Sequence, residues 1–405
     1  MSSESRIRLT LTTSEARRIW LRAQRLDAVA PFGTGPEAVS RAVDHLGYVQ
    51  IDTINVIERC HHHILWTRIP AYLREHLHQA LTVDKTVFEY WTHALSYVPA
   101  MDIRFFLAAM KRYRQSPRNW FSSVKQADLR RVLALVRNDG ALSIRDIDDE
   151  VLIDKEHAWA SRKPSKRALQ LAFFTGELTV SARRGMVKTY ELMDRHFGWD
   201  ERPRAASERQ VLVYLLDRAL RSQGLVSLDS ICHLDAGRKA HIRRLIEARV
   251  RRKALLPVAI AGAGKLEHWV QPEVLDIPPP SAQAMVHLLS PFDPLIIQRK
   301  RLRLFFDYGH RFEAYVPKEK RLLGYFALPV LVGDEIIAAI DLKADREKQK
   351  LLVQQWTWVG RGSARSHKAC VEQGLHRFSQ FQFDQRQRVE AAMPPSTTDA
   401  RSMPL

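Results

Sequence analysis

One pattern occurs twice in this chain, and it limits the fold more than any other feature. Gly140-Ala-Leu-Ser143-Ile144-Arg-Asp-Ile147 and Gly224-Leu-Val-Ser227-Leu228-Asp-Ser-Ile231 share the form Gly-x-apolar-Ser-apolar-x-x-Ile. Each copy follows an amphipathic helical stretch, at residues 129–137 and 210–223. Gly is suited to end that helix and Ser to cap a short second one. A basic helix comes next, at 165–174 in one copy and 238–252 in the other. A hairpin closes each unit. Residues 178–181 turn through Arg183-Arg184-Gly185 into 186–192, and 254–260 turn through 261–264 into 266–270. Helix, short helix, basic helix and hairpin is the plan of a winged helix-turn-helix. A period of about 84 residues is too long for a solenoid, so the copies read as tandem domains.

Residues 8–122 read as a more divergent first copy. Periodicity predicts helices at 14–25 and 36–46, the first capped by Thr13 or Ser14, a short strand at 48–52 and a helix at 55–68. The aromatic-rich stretch 88–98 would supply a wing. The second and third units span 123–200 and 204–276, and Ile277-Pro-Pro-Pro280 reads as a linker. Beyond it, short apolar runs at 303–306, 312–316, 322–332, 335–342 and 350–358 predict strands of a small antiparallel domain over 281–384. Residues 385–405 have the composition of a disordered tail. The expected class is therefore α+β: tandem winged helix-turn-helix domains followed by a C-terminal β domain.

Charge narrows the partner. Among 405 residues, 63 Lys and Arg oppose 45 Asp and Glu, a net charge of +18. Such a surplus favours a polyanion, most simply nucleic acid, through phosphate contacts. Cys60, Cys232 and Cys370 are odd in number and far apart, which implies no disulfide framework and fits a reducing cytosol. The first residues hold no apolar signal-peptide core, and no apolar run reaches the ~18 residues of a membrane span.

The chemistry points to Gln50-Ile51-Asp52. In an extended segment alternate side chains share a face, so Gln50 and Asp52 would point one way with Val49 and Ile51 turned into the core. A carboxylate to steady a cation and an amide to hold a water can together cleave a bond to a sugar. The same triplet is also what a solvated edge strand looks like.

With Thr53-Ile54-Asn55, His61-His62 and Leu65-Trp66, this triplet resembles the signature of bacterial DNA glycosylases of the YcaQ/AlkZ type. That family carries Gln-apolar-Gln in one branch and Gln-apolar-Asp in the other; the present chain is similar to the second, AlkX, branch. Two further stretches agree. One is Phe88-Glu89-Tyr90-Trp91 with His93. The other is the series Leu289-Ser290-Pro291-Phe292-Asp293, Tyr315-Val316-Pro317, Gly324-Tyr325, Leu328-Pro329-Val330-Leu331 and Asp341 to Arg346. The resemblance spans residues 8 to 360 and implies tandem winged-helix domains and excision of alkylated or crosslinked bases from double-stranded DNA.

A purine alkylated at N7 is positively charged and leaves readily, giving an oxocarbenium-like sugar. Asp52 is the expected carboxylate, stabilising that charge and orienting or deprotonating a water; Gln50 would fix the water or contact the sugar and base. No Lys precedes Lys85, which favours a monofunctional enzyme over a Schiff-base lyase. Neither metal nor cofactor is expected, because three adjacent His on a helix point about 100° apart and cannot share one ion. His61 and His62 would contact DNA or buttress the motif; otherwise one of the three histidines is buried and two are exposed. His93 would line the same cavity, and Tyr90 and Trp91 read most simply as aromatic core. Further DNA contacts are expected from Arg162, Lys163, Lys166 and Arg167 at one recognition helix and from the hairpin tip Arg183-Arg184. Arg238, Lys239, Arg243 and Arg244 would repeat this in the next unit. The expected protein is a cytoplasmic, nucleoid-associated monomer. A non-catalytic winged-helix regulator explains the charge and the repeat equally well, but gives no reason for Gln50 and Asp52.

Overall fold

The structure is a computed structural model describing residues 9–116, 121, 122, 124–148, 152, 161–276 and 285–392, the helix alone being described over 384–392. The chain opens with β1 (Leu9–Leu11), α1 (Thr13–Ala23), α2 (Gly35–Leu46), β2 (Val49–Gln50), α3 (Cys60–Arg68), α4 (Arg74–Thr82), β3 (Val87–Trp91) and β4 (Leu95–Pro99). The cap of α1 is Thr12, one residue before the expected pair. Its hydroxyl accepts from Glu15 N at 3.2 Å while Glu15 Oε2 accepts from Thr12 N at 2.8 Å. Strands β2, β4 and β3 form an antiparallel sheet in the order β2-β4-β3, with Gln50 opposite Ser96 and Glu89 opposite Tyr97.

After α5 (Ile103–Gln115), which lies within the expected first unit but packs on the core of the second, the second unit holds α6 (Gln126–Asp139), β5 (Leu142–Ser143), α7 (Pro164–Thr175), β6 (Leu178–Arg184), β7 (Val187–Leu192) and α8 (Met193–Phe197). The third is α9 (Glu208–Gln223), β8 (Leu225–Val226), α10 (Leu228–Ile231), α11 (Lys239–Arg251), β9 (Leu256–Ile260) and β10 (His268–Val270). The repeat shapes both. Gly140 and Gly224 take positive φ after α6 and α9, and the hydroxyls of Ser143 and Ser227 cap the following turn and helix. In the third unit the sheet order is β1-β9-β10-β8, so the N-terminal strand completes it by pairing parallel to β9.

The last part holds β11 (Val286–Leu288), α12 (Arg299–Phe306), β12 (Ala327–Val332), β13 (Glu335–Asp345), β14 (Lys350–Trp358) and α13 (Ala364–Ala392). Its sheet is antiparallel in the order β11-β12-β13-β14. Several expectations change here. Residues 303–306 belong to helix α12, not a strand; Leu302, Phe305 and Phe306 bury one helical face against the core that holds Trp20. Residues 312–316 form no strand, because the buried Glu313 carboxylate accepts from the backbone N–H groups of Leu322, Leu323 and Gly324 and fixes a loop. The expected linker at 277–280 lies outside the described residues. The expected tail begins inside α13, and its part from 393 onward also lies outside them.

The cores cross the sequence boundaries. One cluster joins α2 and α3 to β12, β13 and the Phe378 and Phe381 face of α13. Arg68 binds Asp293 through two hydrogen bonds, at 2.7 and 3.0 Å, both side chains fully buried. That pair explains why Ser290-Pro291-Phe292-Asp293 must lie beneath α3.

Candidate active site

Helix α2 ends at Gly47, whose φ of +76° starts the turn into β2; a Cβ there would collide with Cδ of Arg218. Behind the turn, Val49 and Ile51 enter the core. The backbone carbonyl of Gln50 accepts from Cys60 Sγ at 3.0 Å, and Ile51 N donates to Leu95 O at 2.8 Å. Gln50 is buried, and its Oε1 lies 3.0 Å from His93 Nε2. Burial, then the neighbouring His233 and Arg218, lower the His93 pKa to about 4, so its imidazole is neutral at physiological pH. With the proton on Nε2, His93 donates to Oε1 and leaves both amide N–H donors of Gln50 without a partner among the described residues. Tyr48 meets the His93 ring edge-on at 5.0 Å.

Asp52 is half-buried on the loop that follows. Its Oδ1 accepts from Ile54 N at 2.8 Å, a local turn that fixes the carboxylate. Oδ2 has no partner among the described residues, and no cation there pairs with Asp52. The loop is clamped from the C-terminal sheet: Arg346 donates to Asn55 O at 2.9 Å and Ile57 O at 2.7 Å, and Ala344 N donates to Val56 O at 3.0 Å. Those backbone bonds are why 55–59 is not the start of the expected helix, which begins at Cys60.

The histidines divide by role, and the expected two exposed rings are not found. His63 is buried, bonds Leu288 O at 2.8 Å and stacks on Phe378, which is a structural assignment. His61 is buried against the Tyr97 ring at 5.6 Å, and its Nδ1 has no partner among the described residues. His62 is half-buried and bonds Tyr72 Oη at 2.6 Å. Burial holds the pKa of both well below the usual range, so neither carries charge to DNA at neutral pH. Among the described residues no group of three His, Cys, Asp or Glu is placed to hold a metal.

A cavity of about 680 Å³ opens between the three helical units. Tyr48, Trp91, His93, Arg112, Arg218 and Arg238 are among its walls. Gln50 and Asp52 are not; His93 links the cavity to them. Tyr90 also borders the cavity, but its ring is buried in the core, with its hydroxyl on Phe174 O at 2.7 Å.

The expected DNA contacts separate in the same way. Arg162, Lys166, Arg184 and Arg244 are exposed and Lys163 half-buried at the start of α7. Arg167 is buried within α7 and offers no surface charge. Arg183 is also corrected. It does not project from the hairpin tip but pairs with the fully buried Glu89 of β3, with Lys188 Nζ 3.7 Å from the same carboxylate. Burial lowers the Lys188 pKa to about 8. Arg238 pairs with Asp235 at 2.9 Å, Lys239 pairs with Asp229, and Arg243 pairs with Glu267 at 2.9 Å, so each reaches DNA only by exchanging partners.

Sequence reasoning missed Arg218 and His233 as parts of this region and gave no role to Tyr48 in the expected strand or to Arg346 in the family-like series. It quoted Glu89 without a role, although a carboxylate inside an apolar strand requires a buried partner. The sequence profile of the family described as "DNA glycosylase AlkZ-like" matches residues 43–381. Among solved structures the fold is similar to that of the Streptomyces sahachiroi DNA glycosylase AlkZ, with a TM-score of 0.59 at 16% identity, covering 93% of this chain and 98% of that one.

Proposed function

The chain belongs to the AlkZ-like DNA glycosylase family, and from that membership we propose a monofunctional enzyme that hydrolyses the N-glycosidic bond of alkylated purines, N7-alkylguanine above all, and unhooks interstrand crosslinks. As a DNA glycosylase it is a hydrolase acting on DNA, so the reading as a non-catalytic regulator falls away. No described helix is long and apolar enough to cross a membrane.

The observation that carries the proposal is the half-tethered Asp52. One of its oxygens is fixed by Ile54 N and the other has no partner among the described residues. An N7-alkylated purine departs with its bonding electrons and neutralises its own charge, so the enzyme need not protonate it strongly. The developing oxocarbenium needs a nearby carboxylate, and the water that attacks it needs a base and an orienting donor. Asp52 Oδ2 supplies the first two functions, and the Gln50 amide, turned by His93, supplies the donor. A crosslinked base is tied to the opposite strand and cannot enter a snug pocket, which favours an open cavity of the kind beside His93. We read the first three units as winged-helix modules that carry the duplex on Arg162, Lys166, Arg184 and Arg244.

Duplexes containing N7-methylguanine or a nitrogen-mustard crosslink test this. The expected products are free methylated base by mass spectrometry and separated strands on a denaturing gel, with no borohydride-trapped enzyme–DNA adduct. Binding without base release from either duplex refutes the substrate assignment, and a trapped adduct refutes the monofunctional one.

A further inference from the structure

A second recess of about 620 Å³ lies between the third unit and α12, on the far side of His233 from the cavity described above. The two share Cys232, His233, Leu234 and Gln298 as walls. The first turn of α12 lines the recess with Gln298, Arg299, Lys300 and Arg301, and Lys239 of α11 faces it. Arg301 is the unusual member. Its side chain is sealed, with 7% of the residue exposed, and the guanidinium lies over the rings of Trp20 at 4.3 Å and Phe305 at 5.0 Å. One arm is used, Nη2 donating to Leu225 O at 2.6 Å. Among the described residues Nη1 and Nε have no partner and no carboxylate pairs with this cation. Burial alone, with no opposing charge, lowers its pKa to about 9. The neighbouring Arg299 shows the same pattern, with Nη1 on His310 O at 3.2 Å and Nε unpartnered.

A buried cation with idle donors is a state that an anion relieves. The N-terminus of an eight-residue helix adds its partial positive charge at the same place. We propose that this recess is a phosphate seat, occupied by one backbone phosphate of the DNA strand that leaves the cavity past His233. A phosphate suits it better than a metal-bound or neutral group: Asp229 is the one carboxylate among the described lining residues and is already paired with Lys239, which leaves Arg299, Lys300 and Arg301 as the surplus charge. DNA is the favoured source because the recess is continuous with the wall of the larger cavity. The seat enlarges the DNA footprint from the three helical units onto the C-terminal domain, a contact that does not depend on Asp52 chemistry.

Two probes on the full-length protein test the seat. The first is inorganic phosphate in a thermal melt, against chloride at matched ionic strength. Phosphate should raise the wild-type Tm and should not raise that of Arg301→Met. The second is the salt dependence of duplex binding. Lys300→Ala with Arg299→Gln, both outside the sealed core, should weaken binding about tenfold and flatten the slope of log K against log salt by about one. That double variant keeps the test open should Arg301→Met fold poorly. An unchanged slope together with phosphate stabilisation removes DNA as the occupant. No phosphate stabilisation and an unchanged slope overturn the seat altogether and leave Arg301 as a strut for Leu225. Base release plays no part in either readout, so failure of the catalytic reading and failure of this one are distinguishable.

Discussion

Gln50 and Asp52 are adjacent in function only if something holds each in place, and the two are held differently. Asp52 is fixed by its own backbone two residues on, while Gln50 depends on a residue 43 positions away. That dependence makes His93 testable. His93→Ala removes the partner of Gln50 Oε1, and loss of one such hydrogen bond, about 1.4 kcal/mol, corresponds to about a tenfold lower single-turnover rate. DNA affinity should change by less than threefold, by roughly the scatter of a surface substitution. The pH profile is a second readout. The folded-state pKa of His93 is depressed from the usual ~6.5 to about 4, so the neutral ring is favoured in the native protein and its stability contribution is lost as pH falls between those values. The base-release rate should therefore show no break near pH 6.5 arising from His93. An unaltered rate in His93→Ala, or a break that this variant abolishes, contradicts the assignment.

At the scale of elements, the hairpin β6–β7 is tied to the sheet that holds Gln50 by Glu89, Arg183 and Lys188. Removing one partner of a buried ion pair leaves the other uncompensated, at a cost of about 3–5 kcal/mol. Arg183→Ala leaves Glu89 only the longer Lys188 contact and should lose up to about that much in chemical denaturation, whereas Glu89→Gln with Arg183→Met should lose less because no underpaired carboxylate remains. Equal stability of Arg183→Ala and wild type removes the pair from the account. This pair also marks where sequence reading ends. The repeat was legible because Gly and Ser caps act locally and recur, and α6, α7, α9 and α11 stand close to where periodicity puts them. Arg183 was misread because its partner lies 94 residues earlier, and nothing local distinguishes a paired arginine from a solvated one. Helix α12 was misread for a related reason. The run Leu302-Arg-Leu-Phe-Phe306 alternates like a strand yet also presents positions i, i+3 and i+4 to one helical face, and only packing against Trp20 decides.

For the molecule as a whole, the first unit and the C-terminal sheet share one core, and the N-terminal strand closes the third unit. The loop that carries Asp52 is clamped by Arg346 from a region the sequence assigns to a separate domain. The triplet at 50–52 was visible in the sequence because its residue types are local. The expected strand alternation is not what positions it: β2 ends at Gln50, which is buried like Val49 and Ile51, and Asp52 lies on the loop beyond. The clamp was not visible, because it depends on how distant parts of the chain meet. The central claim is that Asp52 acts on the departing sugar and not on the binding of DNA. Asp52→Asn keeps the Oδ1 contact to Ile54 and removes only the charge, which isolates that claim. Single-turnover base release from an N7-methylguanine duplex, measured beside the Kd of the same duplex, decides it. The account predicts a rate at least about 100-fold lower, or roughly 2.7 kcal/mol of transition-state stabilisation, with Kd within about threefold of wild type. A rate that falls only in proportion to weakened binding contradicts it.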